Sequence, residues 1–176
     1  MGLKMIKINS RFYILPLIVL FFVFGCAHHK KLTVEHSLTI YAAQDDSDSL
    51  LIRYAPLFLA YDFQKTYNRI GKPEARKNED GKINIFVNSE KPVIYTLERA
   101  FSTSRGSYTN LIYRVHFPKV PFSLIPFNLT MGNNVGLLVV ITLDHQQNPL
   151  LVSTVHTCGC YLAIVPTTSL PKSALP

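Results

Sequence analysis

Apolar positions along the chain follow two regimes. Residues 12–24 (FYILPLIVLFFVF) form one nearly unbroken apolar run, whereas beyond residue 33 the apolar positions come in short segments separated by polar or turn-forming residues. Alternation at a period of two, rich in β-branched and aromatic residues and bounded by Gly, Pro, Asn, Asp and Ser, predicts strands. The strands expected on this basis cover 38–42, 83–87, 93–97, 111–117, 135–143 and 150–165. Turn chemistry fills the intervals at 45–49 (DDSDS), 77–81 (KNEDG), 102–107, 131–134 (MGNN) and 144–149. Along 111–117, Leu111, Tyr113, Val115 and Phe117 fall on one face, and Ile112, Arg114 and His116 on the other. Residues 135–143 and 150–156 flank the polar loop DHQQNP, which predicts an antiparallel hairpin at the core with Val139 and Ile141 buried. The fold class expected is mainly β, with little helix: one antiparallel sheet or sandwich-like domain over residues 34–165.

Three stretches break this pattern. In 56–69 (PLFLAYDFQKTYNR), Leu57, Ala60, Tyr61 and Gln64 suit a helical face while Leu57, Leu59, Tyr61 and Phe63 suit a strand face, and periodicity leaves both open. Pro118, Pro121 and Pro126 remove backbone donors from 117–129 (FPKVPFSLIPFNL), so an irregular, largely apolar crossing is expected there. Residues 166–176 (PTTSLPKSALP) carry three prolines and no packing pattern, and read as a frayed tail or the cut edge of something longer. A length of 176 residues suits a single hydrophobic core, and no solenoid-length repeat is present.

The N-terminal run changes the picture. Lys4, Lys7 and Arg11 precede it, and Gly25 and Cys26 follow it, which is the order of a secretory signal peptide. As a helix the run would span about 20 Å, short of the ~30 Å needed to cross a hydrocarbon core. Val23-Phe24-Gly25-Cys26 resembles the lipobox of bacterial lipoproteins, with Phe24 departing from the small residue usual at its position. The resemblance implies lipid on the Cys26 thiol, removal of residues 1–25, and a membrane anchor of several acyl chains. Residues 26–33 then form a lipid-anchored tether in which His28, His29, Lys30 and Lys31 have little to bury. Ala27, rather than Asp, follows the cysteine, so the resemblance points to the outer membrane, facing the periplasm.

Charge narrows the partner class. Of 18 Lys and Arg, three lie in the leader, which leaves 15 against 11 acidic residues, a net +4 dispersed along the rest of the chain. No basic run forms a nucleic-acid footprint. A membrane held through the lipid on Cys26, and a protein partner in the envelope, are the contacts expected. The segments Tyr67-Asn68-Arg69-Ile70-Gly71, 108–121 (YTNLIYRVHFPKVP) and the surroundings of 156–161 resemble uncharacterised lipoproteins of Gram-negative bacteria. That resemblance covers about half the chain and brings no activity with it.

Candidate chemistry is confined to a few side chains. Phosphate-binding loops, dinucleotide fingerprints, H-E-x-x-H and G-x-S-x-G are absent from the sequence. Asp45, Asp46 and Asp48 gather carboxylates, but without the glycine and terminal Glu of a calcium loop they read as a solvated turn. The distinctive cluster is His156-Thr157-Cys158-Gly159-Cys160. With Cys26 lipidated, Cys158 and Cys160 are the remaining thiols in an oxidising compartment, and three outcomes stay open: a disulfide or buried thiol pair, a metal site, or a redox-active pair. No cofactor is expected overall, although Zn or Cu can be held where His156, Cys158 and Cys160 share a face and Gly159 supplies a bend. His116 joins that set only if its strand lies near the one bearing His156. The reading that follows is a membrane-tethered binding or structural module, with a metal- or thiol-dependent periplasmic enzyme as the alternative.

Overall fold

The computed structural model of the chain describes residues 37–44, 48–122, 131–159 and 161–174. The leader, Cys26, the tether, Asp45, Asp46, most of the second half of 117–129 and Cys160 therefore lie outside the described residues.

Among the described residues nine strands form, all in antiparallel pairs between neighbours in sequence. β1 (Leu38–Tyr41) pairs with β2 (Phe58–Tyr61), and β3 (Lys72–Lys77) pairs with β4 (Ile83–Asn88). β5 (Tyr95–Thr103), β6 (Gly106–Val120), β7 (Gly132–Leu143), β8 (Pro149–His156) and β9 (Leu162–Pro166) build a five-stranded sheet in that order. A single helical turn, α1 (Leu50–Arg53), and short 3-10 turns at Thr66–Asn68 and Lys172–Ala174 are the helical elements of the described residues. The mainly β class expected from the pattern is thus the class observed.

The core is one face of the sheet. Leu111, Tyr113, Val139, Ile141 and Leu143 are buried there, covered by Leu50, Leu51 and Tyr54 of the α1 region, by Phe58 of β2 and by Ile94. The Tyr113 ring is wholly enclosed and its hydroxyl donates to the Leu51 carbonyl at 2.9 Å, which ties the helical turn to the sheet. The expected hairpin is present as β7 and β8, in register from Leu137↔His156 to Thr142↔Leu151, with Val139 and Ile141 buried. Asp144 fastens its loop by accepting from the backbone N–H of Gln146 and of Asn148, both at 2.8 Å.

The structure decides one stretch that periodicity left open and corrects several pattern-based boundaries. The ambiguous stretch 56–69 resolves into β2 followed by a 3-10 turn, so the strand face wins over the helical one. The strand β6 continues through Pro118 to Val120, where an irregular crossing was expected. Pairing with β5 ends at Arg114 and the bridge from Gly71 reaches only His116, so no described strand pairs with Pro118 on that side and its lack of an N–H breaks no ladder there; Asn134, across on β7, adopts φ 53°. The run 150–165 is two strands, since β8 ends at His156 and pairs antiparallel with β9, which starts at Leu162.

Candidate functional site

Two features of the described residues bear on chemistry, and both lie toward the end of the sheet where β6 finishes and β7 begins. The first is the turn after β8. Gly159, at φ 73°, reverses the chain, and its N–H donates to the His156 carbonyl at 2.8 Å. A positive φ costs glycine little, so the bend falls at the one residue of the cluster suited to it. Thr157 clamps the turn to β7: its N–H donates to the Gly136 carbonyl and its hydroxyl accepts from the Gly136 N–H, each at 2.9 Å.

Within that turn His156 Nδ1 lies 2.9 Å from Cys158 Sγ. The same nitrogen accepts from the Cys158 backbone N–H at 3.3 Å, so the thiol is the proton donor of the pair when both side chains are neutral. A cysteine sulfur in contact with an imidazole is the kind of pair from which nucleophiles and metal ligands are drawn. Cys158 is exposed and His156 half-buried, so the pair is reachable from solvent. Cys160 lies outside the described residues.

His116 does not join them. It pairs with Gly136, whereas His156 pairs with the adjacent Leu137, so the two imidazoles leave the sheet on opposite faces. His116 is buried, its ring edge-on to Tyr95 at 5.6 Å, and its Nδ1 has no hydrogen-bond partner among the described residues. Burial first, and the Arg114 charge second, push its pKa below the usual 6.5. Among the described residues no group of three or more His, Cys, Asp and Glu stands close enough to hold a metal ion. Asp48 of the acidic turn instead pairs with Arg53 at 3.2 Å on the surface.

Gly136 is the residue that sequence reasoning passed over. A Cβ there would come within 2.9 Å of both the Thr157 methyl and the Val115 carbonyl, and 3.3 Å from the His116 ring. Its smallness lets the turn close onto the strand. Gly71 plays a comparable part next to His116, since its N–H donates to the His116 carbonyl at 2.9 Å and a Cβ would lie 2.5 Å from the Asn88 carbonyl oxygen.

The second feature is an apolar cleft of about 520 Å³ between β2 and the ends of β6 and β7. Phe58, Ala60, Ile70, Phe117, Val120 and Leu137 contribute apolar walls, with Tyr67 and Lys119 also on the lining. Its size suits a small organic molecule or an apolar side chain of a partner. Comparison of the chain with protein-family models, with curated proteins and with solved structures finds no match in any of the three.

Proposed function

We propose that the protein is an envelope lipoprotein, held on a membrane by lipid on Cys26 and presenting its β domain as a binding module. The order of the leader, with Lys4, Lys7 and Arg11, then the apolar run and Gly25-Cys26, supports the anchor. The observation that carries the binding role is the cleft beside β2, whose walls are mainly apolar and whose lining offers one cationic group, Lys119. Labelling cells with a radioactive fatty acid tests the anchor: Cys26→Ser abolishes incorporation and membrane retention, and unchanged labelling rules the anchor out. For the cleft, Ala60→Phe fills it and reduces the fluorescence gained by an anilinonaphthalene sulfonate dye on the full chain; an unaltered gain in a folded variant removes this reading.

A second reading is favoured by the 2.9 Å contact between His156 and Cys158. On it the protein is a thiol- or metal-dependent periplasmic enzyme that draws its nucleophile or ligands from His156, Cys158 and Cys160. Metal analysis with a thiol count on the purified protein separates the two. Stoichiometric Zn or Cu, or an easily reduced disulfide, supports the enzyme, and two inert thiols without metal leave the binding module.

A further inference from the structure

The β1–β2 hairpin displays an apolar face to solvent. Its register sets Leu38 opposite Tyr61 and Ile40 opposite Leu59, so these four side chains share one side of the ribbon. They are 48%, 40%, 57% and 50% exposed in that order, and Leu57, just before β2, is 62% exposed. Isolated exposed aliphatics are ordinary on proteins, but cross-strand neighbours that are all apolar make a contiguous patch, which marks an interaction surface.

Where the chain enters this patch decides what covers it. Leu38 is twelve residues on from Cys26, a length that extends to at most about 43 Å and relaxes to much less. Lys30 and Lys31 lie between the two and are attracted to anionic headgroups. Tyr61 combines an apolar ring with a polar tip, the character that favours the headgroup level of a bilayer. We infer that this hairpin face rests on the lipid surface beside the anchor, with Leu38, Ile40, Leu59 and Tyr61 as its contact. The inference rests on the lipid at Cys26, which supplies the proximity. A hairpin tilted onto the membrane fixes the orientation of the domain, so that the anchor does more than retain it.

The chain contains no Trp, so a single introduced indole reports its own surroundings. Ile40→Trp marks the patch, and Ile85→Trp on β4, 61% exposed, serves as the control. Each full-length variant is reconstituted into phosphatidylethanolamine and phosphatidylglycerol vesicles whose acyl chains carry bromine, a quencher, with fatty-acid incorporation at Cys26 measured on the same preparation. The inference expects blue-shifted, bromine-quenched emission from Ile40→Trp and unquenched, water-like emission from Ile85→Trp. Label on Cys26 with Ile40→Trp unquenched overturns the lipid contact while leaving the anchor intact. An indole at 40 that is blue-shifted yet unquenched overturns it too, because chain or a second copy then covers the patch. Quenching without label shows that the face binds lipid unaided and removes the anchor instead; neither label nor quenching removes both.

Discussion

At the scale of single residues, the sheet depends on groups whose polar atoms have one partner or none. Tyr113 is wholly enclosed, and burial pushes its hydroxyl pKa up to about 12. Tyr113→Phe leaves the Leu51 carbonyl without its donor and costs roughly 1–3 kcal/mol, measurable as a lowered urea midpoint. His116 gives a pH signature. Its folded pKa lies below 6.5, so the unfolded chain binds the proton more readily, and the neutral ring's contribution is complete above 6.5 and lost as pH falls through the folded value. The urea midpoint therefore drops from about pH 7 to about pH 5, and His116→Phe, which keeps a ring against Tyr95, flattens that part of the profile. Gly136→Ala forces its new methyl group against Thr157 and the Val115 carbonyl, at a cost of about 1–3 kcal/mol. It also loosens the turn, so the alkylation rate of Cys158, followed by peptide mass mapping, changes relative to the native chain; an unchanged rate would mean that the clamp does not control the thiol.

At the scale of elements, the hairpin of β7 and β8 forms the middle of the core. Ile141→Ala costs about 2–5 kcal/mol in chemical denaturation, because the void lies against Leu111 and Val152 and closes poorly. This hairpin was legible in the sequence because two strongly apolar runs, 135–143 and 150–156, flank the polar loop 144–149, and β7 buries Val139, Ile141 and Leu143. β3 was not legible. Its residues Lys72–Lys77 are mostly exposed, and it is held by register with β4, by the Glu74–Lys91 pair at 2.9 Å and by Arg76 over the Phe86 ring, none of which leaves an apolar period. β5 ran past its expected end for a similar reason: as an exposed edge strand it takes Glu98 and Arg99 without cost. The closeness of His156 and Cys158 could be anticipated from spacing and from Gly159. The role of Gly136 could not, since its partner Thr157 lies 21 residues away and a lone glycine in a strand announces only that something approaches closely.

At the scale of the whole molecule, the order β5-β6-β7-β8-β9, with β1 on β2 and β3 on β4, joins every described strand to its immediate successor or predecessor. Strand pairing in a chain wired this way closes loops between sequence neighbours, which carry little entropic penalty, and longer closures such as Tyr113 onto Leu51 come on top of them. If the chain is exported as proposed, it arrives on the far side of a membrane end first and unfolded, and the second strand of each pair then finds its partner in the stretch that has just emerged. The segment that would be nearest the anchor, β1 and β2, can pair at once, whereas α1 must wait for β6 to bring Tyr113 to the Leu51 carbonyl. On the proposed anchoring, assembly would run outward from the membrane in the order of translocation. Stopped-flow refolding followed by tyrosine fluorescence is expected to be dominated by one phase faster than that of sheets built from crossed, distant strands, and to slow when a long flexible insertion separates β7 from β8.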